Sequence, residues 1–162
     1  MDAGAQRRAA WRELVFDVAR DSGVVRLRVT GASMLPAMWP GDVVTVRRCE
    51  VAALRPGQIV LHGRQEKLTV HRIIHIEGDR LITRGDSLAQ FDPAVTASDI
   101  VGLVVEIDRS GRHIPTGLSL WQRAVAWILR RSAVCRRIML TIALALGGYK
   151  RRSGDTQVSW VG

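Results

Sequence analysis

At 162 residues, 47% of them apolar and 24% charged, the chain suits one globular domain with appendages and excludes both a disordered tail and an integral bundle of membrane helices. Its net charge of +9 is unevenly placed: residues 1–110 carry 15 Lys and Arg against 14 Asp and Glu, and residues 111–162 carry 9 against 1. Cys49 and Cys135 are too few for a disulfide framework and have no metal-type partner at short spacing, so both read as small buried hydrophobes.

In chain order, residues 1–23 form an amphipathic helix: Ala10, Trp11, Leu14, Val15 and Val18 recur at helical spacing, and Asp21-Ser22-Gly23 supplies a stop. Arg12, Glu13, Asp17 and Arg20 interrupt the unbroken apolar core that a secretion signal needs. The stretch 24–117 is β-rich. "VVRLRVTG" alternates apolar and basic residues, and "DVVTVRR", "GQIVLHG", "KLTVHRIIHIEGDRLITRG" and "DIVGLVVEI" follow at short intervals. Glu77-Gly78-Asp79 reads as a hairpin turn in which the glycine supplies a positive φ. A basic, apolar helical appendage occupies 118–152, with five arginines between 123 and 137 followed by the uncharged run Ile138 to Leu146. That run is too short to cross a bilayer of about 30 Å, but an Arg- and Trp-bearing helix suits the headgroup layer of an anionic membrane. Residues 153–162 read as a loose tail.

The residues that carry chemistry lie in the β-rich part. "GASMLPAMWPGD" (31–42) places Ser33 in a Gly/Pro loop, where serine is ordinarily a turn residue. A serine nucleophile needs a base to take its proton and a carboxylate to orient that base. Downstream, His71 sits in an otherwise apolar strand, and Asp86 and Asp92 follow in "RGDSLAQFDP". A returning strand can bring an acid back to that histidine. Lys67 offers a Ser-Lys dyad as the alternative. His75 reads as structural, and His62 and His113 receive no role because no acid or cysteine stands at ligand spacing. Met34, Leu35, Met38 and Trp39 form an apolar lip that suits core, substrate groove or lipid alike.

"GASMLPAMWPGDVVTV" resembles the nucleophile box of type I signal peptidases, "VHRIIHIEGDRLITRGDSLAQFD" is similar to their second and third boxes, and "IVGLVVEI" to the strand that closes their β-domain. The resemblance spans roughly residues 24–108. It implies a coiled β-domain of the signal-peptidase and repressor-autoprotease type, here with an N-terminal amphipathic helix and a C-terminal helical appendage. The usual bacterial enzymes and the related self-cleaving repressors place a lysine where this chain has His71, so the resemblance is to the archaeal and endoplasmic-reticulum type with a histidine base. By that resemblance Ser33 is the nucleophile, His71 the general base, Asp92 the triad acid and Asp86 a supporting residue. Thr30 or a main-chain N–H stands in for the missing side-chain oxyanion donor, since Gly31 occupies the position where many members carry serine. Met34 and Pro36 fall beside the substrate, and small residues are implied near the scissile bond.

The expectation is therefore a serine endopeptidase that cleaves a signal or leader peptide, needs no cofactor or metal, and meets an anionic membrane surface through residues 118–152. It is placed as peripheral to a membrane or cytoplasmic, with no signal peptide or full span visible. The reading from another class is an inactive β-domain that binds anionic membrane or nucleic acid. The +8 charge of 111–162 suits DNA, but its apolar content and lack of a recognition motif speak against nucleic acid.

Overall fold

The alternation in residues 24–29 becomes strand β1 (Val24–Val29), in which Val25, Leu27 and Val29 are buried and the two arginines between them are exposed. In the computed structural model, which describes residues 3–64, 66–146 and 158–160, β1 belongs to a sheet in which every pairing is antiparallel. The other strands are β2 (Val43–Arg47), β3 (Ile59–Arg64), β4 (Lys67–Glu77), β5 (Arg80–Arg84), β6 (Val95–Thr96), β7 (Ile100–Arg109), β8 (Arg112–Ile114) and β9 (Val158–Trp160). The spatial order is β6-β5-β4-β3-β7-β2-β1-β9, with β8 added to β7. The fold is thus mainly β, as the residue pattern leads one to expect.

The β4–β5 hairpin turns at Gly78-Asp79, with Glu77 opposite Arg80 and Gly78 at φ 59°, the left-handed conformation that a tight hairpin requires. Between Ile73 and His75 the pairing with β5 shifts by one residue. This bulge breaks the simple alternation that would put His71 and His75 on one face, and His75 is exposed.

The main core lies between helix α1 (Ala3–Ser22) and the sheet, where Val15 and Ala19 pack with Val25, Leu27, Val44, Ile59, Leu61 and Ile107. Trp11, Phe16 and Val18 close its edge. The N-terminal helix therefore spends its apolar face on the protein's own core, and no comparable stripe is left for lipid. Gly63 lets it approach, since a Cβ there would lie 2.6 Å from the Phe16 ring.

Helix α2 (Leu120–Arg131) opens on a capping box between Ser119 and Gln122, which explains why the appendage begins where the sequence turns helical. Helix α3 (Ala133–Leu146) follows after Ser132. The expectation of a loose tail needs correction over 158–160: this β-prone Val-Ser-Trp segment forms β9 on the edge of β1, with Leu27 opposite Trp160. The rest of 153–162 lies outside the described residues.

Candidate active site

Loop 30–42 is closed at its base by two main-chain hydrogen bonds, Val29 N–H to Asp42 O at 2.8 Å and Gly41 N–H to Val29 O at 2.7 Å. Asp42, buried at its neck, accepts from both arms of Arg109 on β7 at 2.8 and 2.7 Å and from the Trp39 N–H at 2.8 Å. A bidentate guanidinium fixes direction as well as position. Arg109 also stacks on the Trp39 ring, 4.9 Å from its centroid. The Gly41-Asp42 turn thereby ties the loop to the sheet.

At the other side, the loop touches the end of β5. Ser87 N–H donates to Ser33 O at 2.9 Å, and the Ser87 hydroxyl lies 3.0 Å from the carbonyls of Ala32 and Ser33. Gly85 makes this approach possible. A Cβ there would stand 2.6 Å from the Ser33 carbonyl oxygen and 2.9 Å from the Ser33 Cβ.

Strand β4 carries His71 opposite Val60 of β3, and its ring, 3% exposed, bridges two elements far apart in sequence. Nε2 lies 2.9 Å from Ser33 Oγ, and Nδ1 lies 2.5 Å from Asp92 Oδ2. Asp92 is held twice by one residue of β5: its N–H donates to Thr83 O at 2.9 Å, and the Thr83 hydroxyl donates to Oδ2 at 2.6 Å. Burial pushes the Asp92 carboxyl up, but hydrogen bonding to His71, the charge of His71 and the Thr83 hydroxyl outweigh it and hold the group below its ordinary value. An ionised carboxylate facing Nδ1–H leaves the Nε2 lone pair toward Ser33. A hydroxyl in this place can lose its proton to His71.

Asp86, expected as a supporting residue, is the partner of Arg72, the residue after His71. Its two oxygens accept from Arg72 Nε at 2.9 Å and Nη2 at 2.8 Å, with both side chains buried. Arg72 Nη1 reaches Gly57 O at 2.7 Å and Thr116 O at 3.1 Å. Asp86 therefore neutralises the cation next to His71 and does not orient the imidazole. Its main-chain oxygen accepts from Arg130 Nε of α2 at 2.9 Å.

Of the residues expected beside the substrate, two are buried. Met34 is 1% exposed and lies in the main core with Met38, and Pro36, which follows a cis peptide bond, is buried. Leu35 and Trp39 pack with Ala32 against Val125, Leu129, Cys135 and Met139 of the C-terminal helices. The apolar lip is thus used up by the core and by the α2–α3 seat. Thr30 and Gly31 stand half-buried at the start of the loop. Lys67, at the far end of β4 and exposed, pairs with Arg64 across β3.

Thr83, Gly85, Ser87 and Arg72 are supporting residues that sequence reasoning gave no role. Arg72 follows His71, and Gly85 and Ser87 flank Asp86, in sequence; no such neighbour marks Thr83. His62 was also passed over: its ring stands edge-on to that of His71 with centroids 6.1 Å apart, and its Nε2 lies 3.4 Å from the Thr83 hydroxyl.

Burial above all, and then the charge of His71, push the His62 pKa down from 6.5 to about 4. A histidine harder to protonate folded than unfolded makes protons favour unfolding. Above pH 6.5 this group leaves stability unchanged; as pH falls from 6.5 to 4 it removes up to about 3 kcal/mol, and below that range the loss is complete. Urea unfolding at pH 7 and pH 4.5 is expected to show this decline in the wild type, and His62→Gln is expected to flatten it.

Compared with known protein families, the chain matches the model described as Peptidase S24-like over residues 2–105. No curated protein matches it.

Proposed function

We propose that this chain, which belongs to the Peptidase S24-like family, is a serine endopeptidase of the signal-peptidase-like, histidine-base type that cleaves a signal or leader peptide. One observation carries the reading: a single buried imidazole touches a serine hydroxyl with one nitrogen and a carboxylate with the other. Ser33 Oγ attacks the peptide carbonyl as His71 Nε2 takes its proton. The Asp92 carboxylate stabilises the imidazolium, which then gives the proton to the leaving amine. Water, deprotonated by the same His71, releases the acyl group from Ser33. The Ser33 N–H is the first oxyanion donor, held in place because the Ser33 carbonyl is gripped by Ser87. Gly31 contributes no side chain, so the second donor is the Thr30 hydroxyl or a further main-chain N–H. A histidine base also separates this site from lysine-dependent self-cleavage.

The test is to incubate wild type and Ser33→Ala with a mixed library of signal-like and leader-like peptides, and to follow both the peptides and the intact mass of the protein. Peptide cleavage that depends on Ser33, with the chain itself uncut, supports the reading. Cleavage only of the chain itself replaces it with autoproteolysis, and no cleavage at all favours the inactive binding module.

The α2–α3 pair supports a membrane surface as the place of work. Among the described residues no helix is long and apolar enough to cross a membrane. Yet Leu120 and Trp127, Trp121 and Ile128, seven apart on α2, and Val134, Ile138 and Ile142, four apart on α3, are all exposed stripes. Arg131 stacks on Trp127, and the appendage carries five arginines between 123 and 137 with no acid among them. Each cation near an anionic surface contributes about 1 kcal/mol. The protein is expected to sediment with phosphatidylglycerol vesicles and not with pure phosphatidylcholine, and Trp121→Ser with Trp127→Ser to weaken binding at least about tenfold.

A further inference from the structure

We propose that the buried flank of the triad is an inhibitory zinc site, in which His62, His71 and Asp92 hold one Zn2+ ion that takes the base out of service. The inhibitory consequence rests on the serine peptidase reading; the metal site itself does not.

One donor atom from each of the three residues lies within 4.8 Å of the others, and both histidines are buried. Two imidazoles and a carboxylate form the donor set that zinc accepts at three positions, with a fourth left for water. Calcium and magnesium, which ask for six or more oxygens or a largely hydrated octahedron, find no such set here. Bonds of about 2.0 to 2.2 Å place tetrahedral ligands about 3.4 Å apart. The His62 ring must therefore approach, and the 2.5 Å contact between His71 and Asp92 must open, each by about 1 Å or somewhat more, a shift within reach of side-chain rotation.

His62 is the residue that turns a triad into a metal site. It is 5% exposed, and its Nδ1 is buried with no hydrogen-bond partner. Its Nε2 has only a 3.4 Å contact to Thr83, whose hydroxyl proton is already given to Asp92 at 2.6 Å. A buried imidazole so weakly engaged is unusual among native polar groups. It stands beside two groups that zinc binds well, and no step of peptide cleavage uses it.

The chemistry of inhibition follows from proton placement. In the free enzyme His71 carries its proton on Nδ1, toward Asp92, and offers the Nε2 lone pair to Ser33. Zinc takes the Nδ1 lone pair, so the proton relocates to Nε2 with no net gain or loss. An Nε2–H donates to Ser33 Oγ and accepts nothing, and the carboxylate that stabilised the imidazolium is bound to the metal. Ser33 then keeps its proton.

The test begins with calorimetric titration of zinc chloride into the metal-free full-length protein, wild type and Ser33→Ala. One ion per chain with a low-micromolar Kd is expected in both, no heat with magnesium, and binding at least about thirtyfold weaker in His62→Gln and in Asp92→Asn. Cobalt added to the wild type is expected to give tetrahedral ligand-field bands without thiolate charge transfer, a readout that holds even where a variant fails to fold. No zinc binding by the wild type, cobalt bands carrying a cysteine signature, or undiminished binding in folded His62→Gln and Asp92→Asn would overturn the site. With a cleaved peptide in hand, zinc is expected to inhibit the wild type at the concentration that fills the site, and unchanged turnover with the site filled overturns the inhibition. Zinc bound by a protein that cleaves nothing even without metal would sink the peptidase reading, and with it the inhibitory role.

Discussion

Ser33→Ala is expected to cleave a susceptible peptide at least about ten-thousandfold more slowly than wild type, and adding His71→Ala is expected to cost little more. In the proposed mechanism the hydroxyl and the imidazole form one device: the 2.9 Å contact from Nε2 to Oγ is the path of the proton, and either partner alone performs no attack. Asp92→Ala is expected to cost about ten-thousandfold as well, because Nδ1 then lacks the acceptor that fixes the tautomer and the charge that stabilises the imidazolium. Single-turnover kinetics with the best library peptide separates these losses from changes in binding. Lys67→Ala, at a site remote from the serine, is expected to leave turnover within about twofold of wild type, since surface changes away from such machinery have small effects. Independent, additive losses at Ser33 and His71 would mean that the two do not work as a unit. A large loss in Lys67→Ala would restore the dyad that the geometry disfavours.

Much of this site was legible in the residues, and the reasons are local. Strand alternation at 24–29, the Gly78 turn and the Gly41-Asp42 neck are rules of two- and four-residue reach, and each is visible in the sequence. So was the spacing that brings His71 and Asp92 together, because a hairpin folds a strand back on itself. What the residues did not reveal is long-range. Nothing in "GDS" says that Gly85 must lie against the Ser33 carbonyl or that Ser87 must grip it, since both contacts span more than fifty residues. Met34 looked like substrate lining because apolar residues beside a nucleophile suit a groove and a core equally, and only packing decides between them. The apolar stripe of the N-terminal helix, read from spacing alone, is likewise core. His62 was invisible because its neighbours at short sequence spacing are not ligands; its partners arrive from β4 and from beyond β5.

In the proposed mechanism Asp92 serves the chemistry and Asp86 the scaffold, and their variants are expected to fail in opposite ways. Asp86→Ala leaves Arg72 buried without its counter-charge, and removal of one partner from such a pair costs about 3 to 5 kcal/mol. Urea unfolding is expected to show that loss, enough to unfold a marginal domain of this size. The cost has several routes to the candidate site. Arg72 directly follows His71, the Asp86 carbonyl receives Arg130 from α2, and Ser87 next to it holds the Ser33 carbonyl. Loss of the pair therefore loosens the nucleophile loop and its helical cover together. Replacing both partners by apolar residues is expected to recover only part of the stability, because Arg72 Nη1 also satisfies the carbonyls of Gly57 and Thr116. Asp92→Asn, by contrast, keeps an oxygen for Thr83 and His71 and is expected to stay within about 1.5 kcal/mol of wild type while losing turnover. Were Asp86→Ala to remain as stable as wild type and lose only activity, the carboxylate next to Arg72 would have to be counted with the chemistry after all.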